Sequence, residues 1–213
     1  MILRVCRGAA VLAALLMGAA SADSQPAELP ATVVTVTGKA ELYKKGATKW
    51  GTAELRDEVR EGDGVRTNPA VRTTLRTGGG HSIRLAALTQ VFILAPSGAG
   101  TDPQPLRLRL DRGWLWVAVT PGVLAQAPIE VIAGPARVAV RGGGVGFRLN
   151  RDGSVIVRTY HGLAVVRGSS PAGTWERSLP ELQEVLVPAS GPPPDNRKIT
   201  REEGEGLWVL WNE

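Results

Sequence analysis

Ile129-Glu130-Val131-Ile132, Ala133-Gly134-Pro135, Val138-Ala139-Val140, Arg141-Gly142-Gly143-Gly144, Val145-Gly146-Phe147-Arg148-Leu149, Asn150-Arg151-Asp152-Gly153, Ser154-Val155-Ile156-Val157 and His161-Gly162-Leu163-Ala164-Val165-Val166 together decide the fold. Short apolar runs rich in Val and Ile alternate with Gly, Pro, Asn and Asp. β-branched side chains suit a pleated surface, and the intervening residues are those that turns require. The pattern predicts successive short strands with frequent turns rather than helices.

The stretch also resembles the periplasmic FecR domain. In that family a short strand leads into an Arg-Gly-Thr-x-Phe signature, then an Asp-Gly turn, a strand, a Gly and a last Val-rich strand. Val138-Ala139-Val140-Arg141-Gly142 matches the first part, Phe147 the aromatic, Asp152-Gly153 the turn, and Gly162 with Leu163 to Val166 the close. The Thr is missing, and two extra Gly residues separate Arg141 from Phe147. Gly144-Val145-Gly146-Phe147 serves equally well as the matching core. With a side-chain period of two, the added pair is expected to keep strand parity.

The resemblance continues upstream. Leu55 to Thr67 contains Gly62-Asp63-Gly64-Val65-Arg66-Thr67, similar to the family's Gly-Asp-x-Val/Ile-x-Thr element at Gly62, Asp63, Val65 and Thr67. Gly78-Gly79-Gly80-His81-Ser82 stands where the family has Asp-Gly-Ser, without the Asp. Leu106-Arg107-Leu108-Arg109-Leu110 alternates apolar and basic residues, so its Leu side chains face a core and Arg107 and Arg109 face water or a partner. Asp111-Arg112-Gly113 then turns into Trp114-Leu115-Trp116-Val117-Ala118-Val119, similar to a Leu-x-x-Gly-x-Leu-x-Val element. Both faces of that strand are apolar, which predicts cover on both sides. The resemblance spans Ala31 to Val166 and rests on the order of its elements. It implies an all-β domain wound as a twisted, solenoid-like roll of short strands; composition alone allows a β-sandwich as readily.

At the amino terminus, Arg4 and Arg7 precede an apolar run from Gly8 to Ala20 and an Ala20-Ser21-Ala22 cleavage pattern. Residues 1–22 read as a secretory signal peptide, with the mature chain starting near Asp23 and localised to the periplasm. An uncleaved membrane anchor is the rival reading, but the run is short for a bilayer core of about 30 Å. No later segment is apolar for long enough to span. Residues 23–30 read as a linker, 31–190 as the FecR-like domain, 191–194 as a Pro-rich linker and 195–213 as a tail. Loss of the signal leaves 23 basic residues against 20 acidic, a net charge of +3. Cys6 is the only cysteine and lies inside the signal, so the mature chain has no disulfide, thiol nucleophile or thiolate metal site.

Chemistry is sparse. His81 and His161 are the only histidines, and two histidines do not make a structural zinc site. Glu58, Glu61 and Asp63 lack the donor spacing of a calcium loop and read as a solvated turn. Neither triple-Gly run precedes a helix or a Lys-Ser/Thr pair, so tight turns explain them better than phosphate binding. No nucleophile has a base beside it. The expectation is a non-enzymatic protein without a cofactor.

Two function classes remain. In the first, the chain is a periplasmic binding or scaffold module whose partner is another periplasmic or outer-membrane protein. Full-length family transducers carry a cytoplasmic anti-sigma segment and a membrane span before this domain; a signal peptide in their place implies a module without the cytoplasmic arm. In the second, it binds an envelope glycan or lipopolysaccharide. Arg107, Arg109, Arg148 and Arg158 suit anionic groups, and Trp50 or Trp175 suits stacking on sugars. Nucleic acid is not an expected partner, because the chain lacks a dense basic stripe. Trp208 and Trp211 lie in an apolar run, Leu207 to Trp211, that either docks back as a cap over a sheet edge or serves as a partner-binding peptide.

Overall fold

The structure, a computed structural model, describes residues 31–96, 105–120, 129–171, 173–192, 194–200 and 202–203. The signal-peptide and linker readings of residues 1–30 lie outside these residues, as do Trp208 and Trp211. Among the described residues no helix is long and apolar enough to cross a membrane.

The described chain is all-β. The first eight strands are β1 (Ala31–Thr37), β2 (Ala40–Tyr43), β3 (Gly51–Thr52), β4 (Glu58–Val59), β5 (Gly64–Thr67), β6 (Arg72–Thr77), β7 (Ser82–Leu85) and β8 (Gln90–Leu94). They are followed by β9 (Leu106–Val119), β10 (Ile129–Ala133), β11 (Ala136–Leu149), β12 (Val155–Ser170), β13 (Gly173–Pro180), β14 (Gln183–Val187) and β15 (Arg197–Lys198). The expectation of short strands throughout needs correction at three places. β9, β11 and β12 run for 14, 14 and 16 residues, through the Gly-rich points that read as strand ends. Glycine bends these strands without breaking their ladders.

All the strands hydrogen-bond into one sheet folded double. One layer contains β2, β5, β8, the first half of β9, β10, the first half of β11, the second half of β12 and β13. The other contains β1, β6, β7, the second half of β9, the second half of β11, the first half of β12 and β14. Within the folded sheet β9 and β10 run parallel, and the other pairings are antiparallel.

The three crossing strands bend at two ends. β9 bends at Gly113 (φ 90°), beside the turns at Gly134 and Gly153. β11 and β12 bend together at the far end, where Gly143 (φ 77°) faces Gly162 (φ 82°) across the ladder. Each bend carries a bulge in which one residue, Asp111, Arg141 or Tyr160, is skipped by the pairing. A bulged residue shifts the alternation by one. Hence Val138 and Val140 point inward before the bend of β11, and Val145 and Phe147 after it. Strand parity is therefore reset at the Gly run rather than kept.

The shared core is filled from both layers by Leu75, Ile83, Leu85, Leu108, Leu110, Leu115, Ile129, Val131 and Phe147 among others, all at most 2% exposed. Each such Leu or Ile contributes about 1.5–3 kcal/mol on burial. Val65 joins this core, while the hydroxyl of Thr67 accepts from Thr89 N at 2.9 Å. Thr89 Oγ1 in turn accepts from Trp114 N and donates to Trp114 O, both at 3.0 Å, which pins the β9 bend to the preceding loop. A side chain at Gly113 would fall 2.6 Å from the Thr89 Cα. His81 is buried in the turn between β6 and β7, where its Nδ1 accepts from Thr120 N, and burial holds its pKa below the ordinary value.

Candidate interaction surface

The outer face of the second layer is built from two cross-strand rows. Leu186, Ile156, Arg148 and Trp114 stand side by side on β14, β12, β11 and β9. The neighbouring row is Glu184, Arg158, Gly146, Trp116 and Arg84. The absence of a side chain at Gly146 leaves a shallow groove of about 60 Å³, lined by Trp114, Trp116, Ile156, Arg148, Arg158 and Tyr160.

Glycines make room for the aromatic floor. A Cβ on Gly144 would lie 2.4 Å from Trp116 Cζ2, and one on Gly146 would lie 3.2 Å from Tyr160 Cε2. The bulge at Tyr160 re-aims its ring onto Trp116, with centroids 4.6 Å apart. Ile199, Leu182 and Ala118 complete this second apolar cluster, on the opposite side of the sheet from the main core. The strand from Trp114 to Val119 is thus covered on both faces. Gly144→Ala is expected to push the Trp116 ring off its seat at a cost of about 1–3 kcal/mol, read by urea unfolding and a change in near-ultraviolet circular dichroism. An unchanged aromatic signal would contradict the packing.

Charges frame the groove. The Arg148 guanidinium lies 4.6 Å from the Trp114 ring centroid, a cation–π contact. Arg158 donates to Glu184 from Nε at 2.7 Å and also from Nη2. Burial of Arg158 works against its charge, but its hydrogen bonds to Glu184, together with the neighbouring Tyr160, outweigh it and raise its pKa. Tyr160 is pushed up by burial, with Arg158 opposing. Glu184 also receives Arg197 at 3.0 Å, so β15 is tied to the same rim.

The residues singled out from the sequence are dispersed. Gly62 (φ 84°) and Asp63 form the turn before β5; Asp63 accepts from Lys45 N at 2.8 Å, Arg60 N at 3.0 Å and Lys44 Nζ at 3.1 Å. Glu61 pairs with Lys45, and Glu58 with Arg60, so the acidic trio faces cations of the chain. Among the described residues no group of three or more His, Cys, Asp or Glu side chains could hold a metal ion. Arg141 is exposed and Gly142 has open space beside it at the β11 bend, while Phe147 is in the core. Asp152 accepts from Ser154 N and Oγ and shapes the turn to Gly153, whose φ is 82°.

Arg107 and Arg109 lie on the outer face of the other layer, away from the groove. Arg107 is held by Glu130 at 2.7 Å, and Arg109 by Asp111 at 2.7 Å while it covers Phe92. Trp50 packs with Tyr43 and Phe92, and Arg66 lies over its ring. Trp175 covers Gly168 and the edge of the main core. The groove residues Ile156 and Tyr160, and Leu186 beside Ile156, were not singled out from the sequence. Its one local trace is the Gly144-x-Gly146 spacing set against Trp114-x-Trp116, legible only once β11 and β9 are paired.

No family model and no curated protein matches the sequence. Among solved structures, the chain is similar in fold to two crystal structures of a proposed anti-sigma factor from Parabacteroides distasonis. The TM-score is 0.52 to each, with 16% and 17% sequence identity over 68% of this chain. The matched part is 64% and 63% of that protein's length, so the chain spans less than two-thirds of it. The likeness establishes a shared all-β architecture.

Proposed function

We propose that the chain is an exported FecR-like module that acts by binding another protein of the periplasm or outer membrane, in envelope or transport signalling, without catalysis. The order of motifs from Gly62 to Val166 supports the family reading, and so does the fold likeness to a proposed anti-sigma factor. The observation that carries the binding role is the row Leu186, Ile156 and Trp114. Leu186 is 45% exposed and continues the half-buried apolar side chains beside it. Arg148 stands in the same row between Ile156 and Trp114, its guanidinium over the Trp114 ring, and apolar side chains set among charged ones are the composition of a protein-binding face.

The glycan reading has less support. Arg107 and Arg109 are engaged by carboxylates of the chain, and Arg66 occupies the ring face of Trp50 on which a sugar would stack.

A photoreactive residue placed at Leu186 in intact cells tests the proposal, with the same residue at Leu55 as the control. The expected result is one defined protein adduct from position 186, lost with Ile156→Asp and absent from position 55. Recovery only with lipopolysaccharide or peptidoglycan, abolished by Arg107→Ala with Arg109→Ala, would replace it with the glycan reading. Export is tested by the mass of the mature chain, expected to begin at Asp23.

A further inference from the structure

We propose that the groove between β9 and β14 is the seat of the chain's own carboxyl-terminal segment, residues 204–213, which a partner must displace to reach Leu186, Ile156 and Trp114. The inference rests on reading this face as the binding surface and adds its occupant.

The described part of the tail already leads to the groove. β15 pairs with β14, Arg197 binds Glu184 on the rim, and Ile199 is buried against Trp116 and Tyr160, both of which line the groove. At Thr200 the chain turns again. Thr200 N donates to a Glu203 carboxylate oxygen at 2.8 Å and Thr200 Oγ1 accepts from Glu203 N at 3.1 Å, a reciprocal capping box that opens a helical turn at Glu202 and Glu203. Gly204 and Gly206, which follow in sequence, are residues of low helix propensity.

The chemistry of the following residues complements the groove. Leu207-Trp208-Val209-Leu210-Trp211 offers five apolar side chains to an apolar row. From Glu202 onward the segment holds Glu202, Glu203, Glu205 and Glu213 and no Lys or Arg, whereas the groove's two rows hold Arg84, Arg148 and Arg158 against the single Glu184, which binds Arg158 and Arg197. Reach is ample. Ten residues extend to about 33 Å, and the three strand spacings from β14 to β9 amount to about 14 Å.

Cysteine pairing in the full chain tests the seat, with Cys6→Ser removing the one native thiol. Under mild oxidation Ile156→Cys with Val209→Cys is expected to form an intramolecular disulfide at least tenfold faster than Leu55→Cys with Val209→Cys, Leu55 being near the opposite edge of the sheet. Equal rates, or a disulfide only between two copies, would overturn the proposal. A thiol-free measurement guards against misfolded variants: the indole N–H resonances of Trp208 and Trp211, identified with Trp208→Phe and Trp211→Phe. Ile156→Asp should shift both towards the positions of solvated tryptophan, and unchanged positions would count against the seat. A failed disulfide together with a partner adduct from position 186 would remove this inference and leave the proposed function standing.

Discussion

Gly143→Ala is expected to abolish stable folding, with a loss of at least about 4 kcal/mol. Two effects combine. The residue has a φ of 77°, where an L side chain costs about 1–2 kcal/mol, and the new Cβ would fall 2.0 Å from the His161 carbonyl oxygen. That oxygen belongs to a backbone fixed in the ladder, so relief requires moving β12 away from β11. Gly162→Ala meets the mirror situation, 2.2 Å from the Gly142 carbonyl oxygen. The control lies one residue away: Gly142 has nothing within 4 Å of a built Cβ, and Gly142→Ala is expected to change stability by less than about 1 kcal/mol. Urea unfolding of the two variants side by side decides the matter. Equal midpoints for Gly142→Ala and Gly143→Ala would refute the bend as described.

Asp63→Ala should cost about 2–4 kcal/mol. The residue is 4% exposed, and its carboxylate accepts from two backbone N–H groups and Lys44. Its removal leaves the amides of Lys45 and Arg60 without their acceptor and loosens the turn that sets Gly62 beside Lys45. The residue also has a proton-linked signature. Burial pushes its pKa up, but the bonds from Arg60, Lys45 and Lys44 prevail and hold it below the ordinary value of 3.8. Because the folded value lies below the unfolded one, the stabilisation is present above pH 3.8 and is lost as pH falls through the folded pKa. Asp63→Asn should therefore be less stable than the parent near neutral pH and show a shallower loss of stability in acid. An unchanged acid slope would mean that this carboxylate contributes nothing through its charge.

Local chemistry accounts for the parts of the fold that were legible in sequence. Val and Ile runs marked the strands, and Asp152-Gly153 marked a turn whose hydrogen bonds are made within a few residues, while Gly62-Asp63 marked a turn that Arg60 N closes locally and Lys44 and Lys45 complete from nineteen and eighteen residues away. Continuity through Gly142 to Gly144 was not legible, because glycine both ends strands and bends them. What decides between these outcomes is whether β12 keeps pairing across the bend while β9 takes over from β10 on the other side of β11, a long-range condition. The alternation reset had the same origin: it depends on bulges at Asp111, Arg141 and Tyr160, which exist only relative to partner strands. The groove was hidden more deeply. Trp116 needs Gly144 and Gly146 beneath and beside it, about thirty residues away in the chain, and Ile156 gains its meaning from Leu186 and Trp114 in register. Arg107 and Arg109 drew attention through their alternation, yet Glu130 on the neighbouring β10 neutralises the first and Asp111, two residues further along β9, the second.

The three strands that pass from one layer to the other have a thermodynamic consequence. β9, β11 and β12 each place side chains in both halves of the core, so neither layer owns a complete set of strands. Peeling one layer away would tear all three strands at Gly113, Gly143 and Gly162 and strip the remaining half of its inner face. A partly open form would retain little of the burial and gain little chain entropy, so the domain should melt as a single cooperative unit. Amides of Val131 in one layer and Val145 in the other should then exchange with solvent at the same free energy, that of global unfolding, although they sit on opposite sides of the core.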